Sequence, residues 1–199
     1  MYDVAIIGGG PAGLSAALTL ASTQGAKGWN PLHILVIDNQ KSDLLNAELH
    51  NVPFLPKGIS GKEALEKLSS QLLGYTNTQL TIDEIVKISG EKGNFCLEGA
   101  HQKYEAKYVI IATGAHGFSL QGTRAKAIPH AKMPREGMVA LELQERNLIQ
   151  EGIYAAGLLA GETTMFACAS GSGVESACAI LSDMQGKVTI IHDMPGSRA

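Results

Sequence analysis

Three glycines set between an apolar strand and an amphipathic helix constrain this chain more than any other feature in it. Tyr2 to Ile7 is rich in β-branched and apolar residues on both faces, the pattern of a central parallel strand covered on both sides. Gly8-Gly9-Gly10-Pro11-Ala12-Gly13 follows, and Leu14, Ala17, Leu18 and Ala21 then recur at helical spacing. In Gly8-x-Gly10-x-x-Gly13 the glycines have separate roles. Gly8 permits the tight turn, Gly10 lets a pyrophosphate approach the backbone, and Gly13 lets the helix sit close to the strand. Pro11 and Ala12 open the helix, whose first N–H groups and positive dipole end can cradle an anion without a lysine. Ser22 to Pro31 reads as a loop, and His33 to Asp38 as a second buried strand ending in an acid. The unit is βαβ, and Asp38, followed by Asn39 and Gln40, is placed to accept hydrogen bonds from an adenosine ribose. The competing reading is a plain Gly-rich turn with Asp38 as an ordinary strand-end residue.

A chain of 199 residues suits one well-buried α/β domain, so residues 1–199 are read as a single dinucleotide-binding domain. The formal net charge is −3 and basic residues are scattered, so the electrostatic footprint of nucleic-acid binding is missing. Apolar runs such as Val4 to Ile7 and Val109 to Ala112 are far shorter than the roughly 20 residues that cross a bilayer. With no charged leader ahead of the first strand, the expectation is a cytoplasmic protein with no membrane partner. Cys96, Cys168 and Cys178 are odd in number and widely spaced, which fits reduced thiols.

Further along, Ala64, Leu65, Leu68 and Leu72 mark an amphipathic helix starting at Gly61, and Leu80 to Ile88 reads as one strand. Asn94 to Glu98 and Lys103 to Lys107 read as short antiparallel strands of a small β-meander, after which Tyr108 to Ala112 returns to the buried pattern. Ala115 to Gly137, poor in periodicity and rich in Gly and Pro, reads as a connection. Met138 to Leu143 and Ile153 to Ala156 read as strands, Ala167 to Gly173 opens a helix running to about Met184, and Lys187 to His192 reads as a last strand. The expected architecture is a three-layer α/β fold, Rossmann-like, with a central parallel sheet and a small antiparallel meander.

Four separated segments of the chain resemble the two-dinucleotide-binding-domain flavoproteins, and within them the thioredoxin reductase-like group. YDVAIIGGGPAGLSAAL is similar to that family's FAD pyrophosphate segment, and LHNVPFLPKGISGKEALEKL to its Asn-aromatic-Pro-Gly stretch. YVIIATG (Tyr108 to Gly114) resembles the strand and Ala-Thr-Gly turn that close the FAD half, and GIYAAG (Gly152 to Gly157) its second FAD segment. By that resemblance the cofactor is FAD. Asn51 lies beside the flavin ring, the backbone near Ile85 meets adenine, and Ala112, Thr113, Gly114 and Gly157 line the cofactor. Met165, Phe166 and Ala167 then bring a helix N-terminus to the pyrimidine edge of the ring, where its positive end stabilises the anionic reduced flavin.

The departures are equally informative. In the family an NAD(P)H-binding domain of about a hundred residues, the size of a small domain, follows the Ala-Thr-Gly turn, whereas here only the linker 115–137 occupies that place. The second Gly-x-Gly fingerprint and the redox Cys-x-x-Cys are both missing, so thioredoxin reduction by the family mechanism is not expected. Leu158 stands where the family has an Asp near the ribityl chain, a loss of about 1 kcal/mol for a neutral hydrogen bond. Thr164-Met165 replaces an Arg-Gln pair at the flavin edge.

Two side chains carry weak catalytic readings. Cys168 falls on the first turn of the last helix, where the dipole favours a thiolate; its ordinary reading is burial among Ala167, Ala169 and Ser170. His50 adjoins Asn51 and by the resemblance approaches the flavin; its ordinary reading is a loop side chain. The six histidines show no metal-ligand spacing and no clustering with carboxylates, so no metal is expected. The reading that results is an FAD-dependent oxidoreductase reduced from outside, by a redox partner protein such as a ferredoxin or by transient NAD(P)H. The alternatives are a non-catalytic FAD-binding module or redox sensor, and a site completed by a partner chain or a homodimer.

Overall fold

The computed structural model describes residues 1–133, 135–193 and 196. The chain runs β1 (Tyr2–Ile7), α1 (Pro11–Ala21), β2 (Ile34–Asp38), β3 (Glu48–Leu49), β4 (Ile59–Ser60), α2 (Gly61–Leu72), β5 (Thr78–Ile82), β6 (Ile85–Glu91), β7 (Asn94–Gly99) and β8 (Lys103–Ile111). After these come β9 (Ala127–Pro129), β10 (Val139–Leu141), β11 (Leu148–Gln150), β12 (Ile153–Ala155) and α3 (Phe166–Gln185). The central sheet has the order β11-β12-β8-β1-β2-β5, in which β12, β8, β1, β2 and β5 are parallel. β6 and β7 extend from β8 as an antiparallel meander.

The period of two along the central strands divides the interior into two cores. Val4, Ile6, Ile34, Val36 and Ile110 face α1 and α3, while Ala5, Ile7, Leu35, Ile37, Val109 and Ile111 face the meander. Both faces are covered, which is why these strands lack polar alternation. The architecture is the expected three-layer, Rossmann-like fold: helices, parallel sheet, meander. α1 and α3 lie very close, because a Cβ at Gly173 would collide with the carbonyl oxygen of Ala12.

Several expected boundaries change. Leu80 to Ile88 is two strands, because Asp83 turns the chain off the sheet: its buried carboxylate accepts from the N–H groups of Glu84 (2.8 Å) and His101 (3.2 Å) and from the Tyr104 hydroxyl (2.9 Å). Lys103 to Lys107 and Tyr108 to Ile111 are conversely one strand, β8, which leaves the meander and enters the parallel sheet without a break. The 115–137 segment is more than a connection: β9 lies within it and pairs with β10, so that β10 stands outside the main sheet. β11, not expected, forms an antiparallel edge on β12. Lys187 to His192 forms no strand; it folds back on α3, where the Ser182 hydroxyl accepts from Thr189 N–H (3.0 Å). Among the described residues no helix is long and apolar enough to cross a membrane.

Candidate functional site

The C-terminal ends of β2, β1, β8 and β12 open onto one cavity, the crevice where open α/β sheets place their ligands. Its floor is the glycine turn. Gly8 has φ +113°, and a Cβ there would strike the carbonyl of Ala112 at the end of β8. A Cβ on Gly13 would strike the carbonyl of Gly8, so the first turn of α1 is pressed onto the loop that precedes it. Gly10 differs: a Cβ there would meet only the Ser42 hydroxyl, at 3.6 Å, and the space above it belongs to the cavity.

Asp38 sets the shape of this turn. Its Oδ1 accepts the Gly9 N–H at 2.9 Å, and a Cβ at Gly9 would come within 2.6 Å of its carboxyl carbon. One oxygen of the acid read as a ribose ligand is thus engaged with the backbone of the phosphate turn.

Two helices point their unsatisfied N-termini into the cavity. α1 begins after Gly10 and α3 after Met165, neither N-cap has a side-chain hydrogen bond, and neither first turn carries an acid. α2, which does not reach the cavity, is capped by Ser60 and carries Glu63 in its first turn. Pro11 and Ala12 from α1, and Phe166 and Ala169 from α3, line the walls together with Met165. Backbone donors and two positive dipole ends therefore converge on one space. The Ser172 hydroxyl, buried on α3, accepts Gly157 N–H (3.0 Å) and fixes the β12 wall against that helix.

A second cavity adjoins the first and shares Gly8, Asn39 and Thr113 with it. It is walled by Ile85, Asp83 and Glu84 on one side and by Gly117, Phe118, Ser119 and Leu120 of the linker on the other. Burial pushes the Asp83 carboxyl upward, but the hydrogen bonds it accepts from Glu84, Tyr104, His101 and Gln102 outweigh that and hold it below the ordinary range. A crevice in two parts, with the glycine turn between them and room above Gly10, fits an extended dinucleotide whose diphosphate lies over the turn.

Of the residues read from the sequence, Gly8, Gly10, Pro11, Ala12, Asp38, Asn39, Ala112, Thr113, Gly114, Gly157, Leu158, Met165 and Phe166 line the first cavity, and Ile85 lines the second. Gly13 is buried beneath the turn. Gln40, Asn51 and Ala167 are exposed and line neither cavity. Nor does His50, whose Nε2 lies 2.7 Å from Glu48 Oε1 on the surface. Cys168 is exposed, not buried, because it points away from the face of α3 that carries Ala169, Ser172 and Gly173.

The histidines do pair with carboxylates, contrary to the sequence reading. His116 Nε2 lies 2.8 and 2.7 Å from the two oxygens of Asp43, and both residues line the first cavity. His130, in the linker, is buried and donates from Nε2 to the Leu158 carbonyl (2.9 Å). Asp43 and His116 are 73 residues apart, so no local spacing could announce the pair. Position offered one signal: His116 directly follows Gly114-Ala115, at the edge of the Ala-Thr-Gly turn. Among the described residues no group of three or more His, Cys, Asp or Glu side chains could hold a metal.

Fold and site together define a protein with a Rossmann-type nucleotide-binding fold. Residues 2–197 match the model of the pyridine nucleotide-disulphide oxidoreductase family, and the chain belongs to that family. A thioredoxin reductase of Buchnera aphidicola subsp. Schizaphis graminum is 35% identical over 114 residues, covering 57% of this chain and 34% of that protein. A ferredoxin–NADP reductase of Acidiphilium cryptum is 28% identical over 205 residues, covering 99% of this chain and 54% of that protein. The matches thus span between about a third and a half of these relatives' length. The solved thioredoxin reductase of Gloeobacter violaceus shares the fold, with a TM-score of 0.76 at 14% identity over 97% of this chain and 98% of that one.

Proposed function

We propose that the chain is an FAD-dependent oxidoreductase whose electrons come from a donor outside it. The observation that carries the reading is the pair of uncapped helix N-termini, α1 at the glycine turn and α3 at Met165, opening onto one cavity. Gly8, Gly10 and Ala12 would hold the diphosphate, Asn39 and Ile85 the adenosine end, and Gly157, Met165 and Phe166 the flavin end. Bound there, the flavin supplies two-electron transfer chemistry, while the protein binds it, orients it and biases its charge. The N-terminus of α3 favours negative charge at the end of the cavity it faces.

The donor is a reduced partner protein or a transiently docked NAD(P)H. The linker that stands in for a nucleotide-binding insert supports this, since residues 115–137 hold no second glycine fingerprint. Three free cysteines support a reducing, cytoplasmic setting. A second reading, a non-catalytic FAD-binding redox sensor, is supported by Leu158, which lines the cavity where the family carries an acid.

The test is the visible absorption spectrum of the purified protein, with identification of the released cofactor and then reduction by ferredoxin, NADH and NADPH in turn. Released FAD with reduction by one of these donors is the expected result. Bound FAD that no donor reduces favours the sensor, and a colourless protein that cannot be reconstituted with FAD removes both readings.

A further inference from the structure

We propose that His116, held by Asp43, is a diphosphate-binding residue of this site, closing over the glycine turn from the linker side. The inference rests on the dinucleotide reading above and adds a residue that neither the glycine fingerprint nor the resemblance assigns.

Topology brings the pair together. β1 lies between β2 and β8 in the sheet, and the glycine turn rises from its C-terminal end. Asp43 opens the short 3-10 turn Asp43–Asn46 after β2 and His116 lies in the loop after β8, so the two belong to opposite flanks of the glycine turn. Their side chains nevertheless meet, with Nε2 at 2.8 and 2.7 Å from the two carboxylate oxygens, and both line the cavity that contains Gly9 and Gly10. The pair therefore joins the two walls that flank the diphosphate cradle.

Charge points the same way. Among the described residues lining this cavity only Lys41 and His116 can carry positive charge. Lys41 is committed, its Nζ lying 2.8 Å from Glu84 Oε2. Of the acids, Asp38 is engaged by Gly9 N–H and Asp43 by His116. His116 uses only Nε2; among the described residues its Nδ1 makes no hydrogen bond. A doubly protonated imidazole bound to Asp43 through Nε2 offers Nδ1–H to a second anion, and the anion this cavity is shaped to receive is a diphosphate. Asp43 is then a positioning residue, fixing the ring and balancing its charge.

Both side chains are half or more exposed, so replacing them leaves the fold intact. The experiment measures binding of FAD and of ADP to the full chain, with adenosine as a diphosphate-free probe read by displacement of ADP. His116→Ala is expected to weaken FAD and ADP by about tenfold, the scale of one charge-assisted hydrogen bond partly open to solvent, without changing adenosine. Asp43→Asn should weaken the same two ligands by a smaller factor, and His116→Lys should restore them. ADP affinity unchanged in His116→Ala, or an equal loss for adenosine, overturns the proposal. A wild-type protein that binds ADP but not FAD removes the FAD reading and leaves this one standing; a protein that binds none of the three removes both.

Discussion

His130 holds Leu158 by its backbone: Nε2 donates to the Leu158 carbonyl at 2.9 Å while Nδ1 accepts the N–H of Lys132 at 3.1 Å. With Nδ1 acting as acceptor, the proton sits on Nε2, so a neutral ring in one tautomer satisfies both bonds. The linker thus pins the segment that carries Leu158 on the wall of the first cavity.

Replacing His130 by Ala removes one of the two hydrogen bonds to the part-buried Leu158 carbonyl, which keeps the Gly161 N–H at 2.9 Å, and frees the Lys132 N–H to solvent, at a cost of about 0.5–1.5 kcal/mol. The expected result is a lower melting temperature together with weaker retention of flavin. His130→Gln, which keeps a donor and an acceptor, should recover most of both. Thermal unfolding and flavin fluorescence of the two variants check this; an unchanged His130→Ala protein would remove the linker from any role in the site.

Gly173→Ala drives a methyl group into the Ala12 carbonyl at the α1 and α3 contact, where backbone offers no give. Overpacking of this kind costs about 1–3 kcal/mol or more. The same contact shapes the cradle, so denaturant unfolding should show the loss and flavin affinity should fall with it. Gly171→Ala, on the same helix with nothing near its Cβ, is the matched control and should be neutral or slightly stabilising.

Asp38→Ala removes the acceptor for Gly9 N–H and opens space beside the turn. Flavin affinity should drop by about tenfold, equivalent to about 1.4 kcal/mol, with a smaller effect on folding because the turn stays near solvent. Equilibrium titration of the apoprotein with FAD reads the difference.

Stability should fall at both extremes of pH, for different reasons. The hydrogen bonds that hold Asp83 below the ordinary carboxylate range, despite its burial, contribute stability above the unfolded value near 4, and this is lost as pH drops through the folded value. At the other end, burial and the nearby Asp183 carboxylate push the Tyr154 hydroxyl up to about 12. Its contribution is complete below the unfolded value near 10 and disappears as pH rises from there towards 12. Lys92, raised chiefly by its hydrogen bond to Asp183, acts in the same direction: its contribution is present below its unfolded value and lost as pH rises through the folded one. Chemical denaturation across pH should show Asp83→Asn flattening the acid limb and Tyr154→Phe the alkaline limb.

Cys168 is exposed at the start of α3, whereas Cys178 is partly buried and its thiol is pushed up by burial. A thiol reagent should therefore modify Cys168 well before Cys178 in the native protein, and Cys168→Ser should abolish the fast phase. In an assay of the proposed donor-dependent reduction, that variant separates an accessible thiol from a working one: an unchanged rate means that the thiol takes no part in it.

Much of this protein was legible one segment at a time. Tyr2 to Ile7, the glycine turn, α1, the strand ending at Asp38 and the long helix after Met165 all announce themselves through local period and residue size, which act within a few residues. The tight turn at Gly8 and the close approach at Gly13 were also readable, because a missing Cβ is a local property with a steric consequence. What the tertiary structure alone decided are the relationships across the sheet. The Asp83 carboxylate divides an apparently continuous strand because His101 and Tyr104 reach it from the meander. Cys168 is exposed because the close contact of α3 with α1 selects which face of the helix is covered. Asp43 meets His116, and His130 meets Leu158, only after β2, β8 and β12 have been laid side by side. Backbone period is set by neighbours along the chain, but the pairing of polar side chains depends on which loops the sheet order brings together, and no local pattern encodes that order.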